Sequence, residues 1–180
     1  SISTEELTFK DKIKGFIFDP LKTFERVYNE DLEHALKYYI PLLFIYAILY
    51  GITSFYSNQM LFQYLSKISY LKGFITPENT PLVILQSIGG TLVGGLIGIF
   101  VGGAILHVFV YIVGGRKGIK QTFKALIYSS TPSLLFGWIP FIGGIFSLWA
   151  LILEIFGVSK LHKISVIRAL IAVFVIPFII

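Results

Sequence analysis

Between Pro81 and Val113 the chain runs for 33 residues without one Asp, Glu, Lys or Arg. About 20 apolar residues suffice to cross the hydrocarbon core of a bilayer. A helix in a water-soluble core has no use for a run of this length. The same stretch holds seven glycines between Gly89 and Gly103. In water each would weaken a helix by about 1 kcal/mol relative to alanine. In lipid the backbone cannot exchange its hydrogen bonds for water, so glycine costs less and permits close helix contact. The run therefore predicts a polytopic membrane protein of the all-α class.

Composition agrees with that reading. Only 14% of the 180 residues are charged and 55% are hydrophobic, whereas soluble domains carry about 25% charged residues. There is no cysteine, which excludes disulfides and thiolate metal sites. The net charge of +5 is not taken as a nucleic-acid signal, because basic residues in such a chain mark the cytoplasmic side of the membrane.

The apolar pattern predicts a bundle of five transmembrane helices, at about 36–55, 81–113, 123–138, 141–156 and 164–180, within a membrane domain 35–180. Residues 1–34 form a cytoplasmic amphipathic N-terminal segment. Pro41 is placed near the start of the first span, Thr80 and Pro81 at the start of the second, and Pro132 as a kink in the third. "GWIPFIGG" reads as a tight turn. With five spans, thirteen of the fifteen Lys and Arg residues fall on one side and two, Lys67 and Lys72, on the other. The positive-inside rule then puts the chain in the cell membrane with its N-terminus cytoplasmic and its C-terminus outside. A re-entrant hairpin over the third and fourth spans would keep the same charge balance.

Two short amphipathic helices are expected before the first span. In "FKDKIKGFI", Phe9, Ile13, Phe16 and Ile17 share a face and Lys10, Lys12 and Lys14 lie away from it. In "FDPLKTFERVY", Asp19 is the N-cap, Pro20 the first helical residue, and Leu21, Phe24, Val27 and Tyr28 share a face. An aromatic face with basic flanks suits the bilayer interface; the alternative is packing onto the protein's own cytoplasmic surface. The opening "SISTEELTFKDKIKGF" lacks a basic start followed by a short apolar core, so no signal peptide is expected in it.

Gly90, Gly94, Gly98 and Gly102 recur every four residues and make a shallow groove along the second span, with Gly89, Gly95 and Gly103 beside them. Such a ladder serves helix packing, against another span of the same chain, against a second copy, or at a gated interface. Glu154 is the one acidic residue inside an expected span. It is read as paired with Lys160, His162, Lys163 or Arg168 at the membrane edge, or else as a proton or cation site. His107 faces the bundle or its cytoplasmic end. "YSSTP" supplies hydroxyls for the carbonyls that Pro132 frees.

Signatures of a reaction centre are missing: no HExxH, no paired-glutamate peptidase motif, no GxSG and no GxxxxGK[ST]. "GGRKG" joins two spans and reads as a cytoplasmic hairpin loop. The order of motifs carries a resemblance. "FDPLKTFERV" is similar to the "DPxKxF" opening of prokaryotic Yip-domain proteins. "GGRKGIKQTFKALIYSSTPSLLFGWIPFIGGIFSLWALILEIFGVSKLHKIS" resembles the family in its basic loop, its serine-threonine-proline break, its "IPFIGGI" turn, its "LW" with "LE", and its "KLHKIS" loop. The resemblance covers about residues 16 to 180. It implies five spans and a cytoplasmic N-terminus. Eukaryotic relatives are membrane-trafficking proteins linked to prenylated Rab GTPases; this chain lacks their "DLYGP" motif, its nearest segment being "FDPLK".

The expected function is non-enzymatic, without cofactor or metal. The chain organises or adapts membranes, with the lipid bilayer, anionic lipid headgroups, a protein partner or a second copy as its partners. Asp19, Pro20, Lys22, Phe24, Arg116, Lys117 and Lys120 are the expected contact residues. The alternative is a small transporter or channel that uses the glycine-rich span and Glu154.

Overall fold

A computed structural model describes residues 7–65, 67 and 81–178. Among them the chain is all helical. Two short helices, α1 (Phe9–Phe18) and α2 (Pro20–Arg26), precede the long α3 (Leu32–Leu65). α4 (Pro81–Ile97) passes through a π-helical turn, Gly98–Gly102, into α5 (Gly103–Ile112). α6 (Ile119–Ser129) and α7 (Thr131–Phe136) lead through a turn to α8 (Gly143–His162). The chain closes on α9 (Val166–Leu170), a π turn at Ile171–Val175 and a 3-10 turn at Ile176–Phe178.

Three helical runs are long and apolar enough to cross a membrane: Leu32–Leu65, Pro81–Ile112 and Gly143–His162. Much of their surface is bare hydrocarbon: Phe44, Ile45, Leu85, Val93, Ile105, Val108, Ile145 and Leu148 are all exposed. Apolar area on that scale belongs against lipid rather than water. α6 and α7 together, and the broken helix from Val166 onward, are shorter than these three. The N-cap expected at Thr80 lies outside the described residues.

Local chemistry sets the boundaries. A reciprocal capping box starts α1: Asp11 N donates to Thr8 Oγ1 at 3.2 Å and Thr8 N donates to Asp11 Oδ2 at 3.3 Å. The Thr8 hydrogen bond, the largest influence, holds the Asp11 carboxyl below its ordinary value. α1 and α2 meet at Asp19, whose N–H donates to Gly15 O and whose carbonyl accepts from Thr23 N and Thr23 Oγ1. A Cβ on Gly15 would run into the Thr23 side chain, so the tight corner requires glycine.

Two expectations are corrected here. α3 begins at Leu32, so Pro41 lies well inside it rather than near its start. Pro132 does not kink a continuous helix: α6 ends at Ser129 and Pro132 sits in the first turn of α7, where its missing amide is least missed. The hydroxyls of "YSSTP" act as expected. Ser129 donates to Leu126 O, Ser130 to Ile127 O and Thr131 to Tyr128 O. "GWIPFIGG" is the expected tight turn, with Phe141 in the left-handed region at φ 67° and fully exposed.

The buried core sits towards the α1–α2 end, where α6 packs on α8, α5 and α3. Phe16, Phe24 and Val27 are wholly buried in it with Ala125, Ile127, Tyr128, Val158 and Leu161. The apolar face of the N-terminal helices is therefore covered largely by the protein itself. Full burial of each of these Phe, Val, Ile and Leu side chains stabilises by about 1.5–3 kcal/mol. Phe9, Phe18 and Leu21 remain exposed on the same helices.

Candidate functional site

The N-terminal helices are clamped to α6 by a buried ionic cluster. Lys12, expected to lie away from the apolar face, is instead 5% exposed and pairs with Glu30 Oε2 at 2.8 Å. Tyr128 donates its hydroxyl to the same oxygen at 2.5 Å. Lys124, 1% exposed, donates to the carbonyls of Tyr28 and Glu30, both at 2.7 Å. The Lys12 ammonium is thus matched by the Glu30 carboxylate, whereas the buried Lys124 ammonium is satisfied by two carbonyl oxygens rather than by a counter-charge of its own. Phe16 stacks on Tyr128 with centroids 4.8 Å apart and meets Phe24 edge-on at 4.9 Å. On the other side, Lys160 pairs with Glu25 at 2.5 Å and Lys163 lies 4.4 Å from the Tyr28 ring centroid.

This clamp positions a pocket of about 290 Å³ between the 28–32 connection and α6, lined by Glu30, Asp31, Lys117, Lys120, Gln121 and Lys124. Lys117 and Lys120 are exposed and make no hydrogen bond or ion pair among the described residues. Arg116 is folded back: it donates to the carbonyls of Tyr111 and Gly115, and its guanidinium lies 3.6 Å over the Tyr111 ring. Asp19 and Lys22 form an exposed pair at 3.6 Å, beside Pro20 in the first turn of α2. Asp19 caps α2 through its backbone only; its side chain makes no capping bond. Phe24 is corrected from a contact residue to a core residue, because it is wholly buried and presses on Gly157. The structure thus brings Lys117 and Lys120 together and leaves Asp19 and Lys22 on α2.

His107 faces the bundle. Its Nδ1 lies 2.8 Å from Thr122 Oγ1, which lies 2.9 Å from His162 Nε2. This hydroxyl bridge ties α5, α6 and α8 together.

Of the three alternatives for the glycine ladder, packing within the chain is the one that the described residues do not support. A Cβ built on Gly90, Gly94, Gly98 or Gly102 would meet nothing within 4 Å. Among the described residues the ladder therefore packs against nothing in this chain. Of the glycines beside the ladder, Gly95 packs against Leu43 and Gly103 against Phe123, while Gly89 meets nothing; from α3, Gly51 packs against Ile88. The reason is the angular offset of neighbouring positions: α4 turns Gly95 toward α3, so the ladder positions are rotated off that contact, and Gly98 borders an open cleft.

Glu154 is not paired at the membrane edge. Lys160 is taken by Glu25 and His162 by Thr122, and Glu154 makes no hydrogen bond or ion pair among the described residues. Instead it lines a cleft of about 370 Å³ with Tyr39, Gly98, Ser129, Ser130, Ser133 and Ser147. The cleft lies between α4 and α8 at the α6–α7 break, alongside the π turn that starts at Gly98. π turns inside α-helices are frequent at functional sites.

Sequence reading missed Lys12, Glu30, Lys124 and Tyr128 as one unit. The available signal was Lys124 and Tyr128, one helical turn apart inside an otherwise apolar segment. Nothing in the spacing of Lys12 or Glu30 points to that partner.

No curated protein and no solved structure matches the chain. A family model does, over residues 14–180, from within α1 to the end of the chain. That span takes in the clamp apart from Lys12, the basic loop, the serine-lined break and Glu154, so this chain belongs to the Yip1 domain family.

Proposed function

We propose that this protein is a non-enzymatic, five-span membrane protein that organises membranes by holding a rigid basic cytoplasmic face against an anionic lipid surface. One observation carries the reading. Lys12, Lys124 and Lys160 are consumed by internal partners, whereas Lys117 and Lys120 stand unpaired at the mouth of one pocket. Fixed, unpaired cations near a membrane attract acidic headgroups at about 1 kcal/mol each. The charge asymmetry of the loops supports a cytoplasmic N-terminus and an outside C-terminus.

The test uses full-length protein in phosphatidylcholine proteoliposomes and measures capture of fluorescent phosphatidylserine vesicles. Reversing Lys22, Arg116, Lys117 and Lys120 to Glu should lower capture by about tenfold or more. Unchanged capture removes the lipid reading. If capture is weak for both forms and an acidic protein is retained by the wild type alone, the partner is a protein.

A second reading, a small transporter or channel, is favoured by one feature: the polar cleft that reaches Glu154 between apolar helices.

A further inference from the structure

The cleft beside Glu154 has a one-sided hydrogen-bonding character. Ser129 donates to Leu126 O at 3.0 Å, Ser130 to Ile127 O at 2.7 Å and Tyr39 to Gly95 O at 3.1 Å. Ser147 donates to Gly143 O at 3.3 Å, and Ser133 and Ser147 share a contact at 3.4 Å in which Ser133 is then the donor. A hydroxyl has one proton to give and two lone pairs to offer. All five hydroxyl protons are therefore directed at protein oxygens, and what faces the cleft is lone pairs. No Lys, Arg or His lines it. Glu154 adds a carboxylate with no partner.

Such a lining repels anions and satisfies no acceptor. It is complementary to a cation that also donates hydrogen bonds. Depth sharpens the choice. Glu154 lies eight residues before His162 and Gly98 nine before His107, so both sit about 12–14 Å below the level of the histidine bridge. A carboxylate at that depth in a membrane-crossing helix is costly unless it faces a polar cavity or gains a counter-ion. The volume of about 370 Å³ is far larger than one dehydrated metal ion and suits a group of several heavy atoms.

We propose that this cleft is a binding site for a hydrogen-bond-donating ammonium group, primary rather than quaternary. Glu154 is the counter-ion, and Ser129, Ser130, Ser133 and Ser147 accept its N–H bonds. The group arrives either on a free amine from water or on an amine-headed lipid from the membrane. A Cβ on Gly94 or Gly102, one turn either side of Gly98, would meet nothing within 4 Å, so the helix beside the cleft carries no side chain at these positions. The site is separate from the basic cytoplasmic face: reversing Lys117 and Lys120 leaves it intact.

Two measurements on the full-length protein test it. Native mass spectrometry after extraction from nanodiscs of equal phosphatidylethanolamine and phosphatidylcholine reads the lipid source. Thermal unfolding in detergent with butylammonium, tetramethylammonium or sodium chloride reads the free source. Wild type should retain phosphatidylethanolamine over phosphatidylcholine, or be stabilised by butylammonium alone, and the arm that responds identifies the source. Glu154→Gln should lose about tenfold in that retention or apparent affinity. Ser130→Ala with Ser133→Ala should weaken it while keeping the charge. Glu154 makes no bond that Gln would break, so the variant should melt no lower than wild type in ligand-free buffer. Equal behaviour of wild type and Glu154→Gln in both arms overturns the proposal. So does stabilisation by tetramethylammonium or sodium equal to that by butylammonium.

Discussion

Tyr128 donates its hydroxyl to Glu30 across 98 positions of sequence, at 2.5 Å, and Lys12 meets the same carboxylate oxygen at 2.8 Å. A helix, a connection and a distant helix thus share one oxygen atom. Each partner is nearly sealed from solvent, with Lys12 and Glu30 side chains 7% and 10% exposed.

Removing one member should therefore cost more than removing two. Glu30→Ala leaves the Lys12 ammonium buried without a counter-ion and should destabilise by about 3–5 kcal/mol. Tyr128→Phe should cost about 1.5–3 kcal/mol for a hydrogen bond to a charged group. The pair Lys12→Met with Glu30→Gln should recover much of the loss. Unfolding by SDS in mixed micelles checks all three, and additive losses in the double variant would count against a coupled cluster.

The two sets of glycines should respond oppositely to alanine. Gly94→Ala and Gly98→Ala place a methyl in open space and should raise stability by up to about 1 kcal/mol through helix propensity. Gly157→Ala drives a methyl into Phe24 and Ala125, and Gly103→Ala into Phe123; each should cost about 1–3 kcal/mol. Thermal unfolding in detergent gives the sign. If the ladder variants are destabilised and also lose a cross-linked dimer, a second copy covers the groove.

Asp11 predicts an acid limit for the first turn of α1. Its carboxyl is held below the ordinary 3.8 mainly by the Thr8 hydrogen bond. A carboxyl whose folded value is depressed contributes its full stabilisation above the unfolded value. That contribution disappears as pH falls from there through the folded value. Amide protection at Asp11 should stay constant from neutral pH to near 3.8 and decline only below it. Asp11→Asn should flatten the profile, and a decline beginning near neutrality would contradict the capping role.

The absence of cysteine makes single-cysteine reporters unambiguous for topology. If α6 and α7 together cross the bilayer, Lys117→Cys and Phe141→Cys should label from opposite sides, because Phe141 is fully exposed at the tip of the α7–α8 turn. Labelling of both from the same side, or protection of Phe141→Cys from both, would replace five spans with a re-entrant hairpin.

The helices were largely legible in the sequence because their signals are local. The uncharged run from Pro81, the Asp19-Pro20 corner and the "IPFIGG" turn each declare themselves within a few residues. The ladder was equally visible, yet its orientation was not. A four-residue repeat defines a groove on a helix, and only the rotation of α4 against α3 decides that Gly95 meets Leu43 while Gly94 meets no neighbour.

By itself, then, the sequence determined a membrane-embedded helical chain with a basic face, since hydropathy and charge placement act on each segment separately. The tertiary structure alone decided which charges are spent and which are free. Lys12 and Lys124 differ from Lys117 and Lys120 in no property of the side chain, only in what packing brings within hydrogen-bond reach. For Glu154 it decided the same question the other way: Lys160 and His162 are engaged elsewhere, and the carboxylate is left facing hydroxyls whose protons are already given away. Such pairings depend on distances between residues far apart in the chain, which no local pattern encodes.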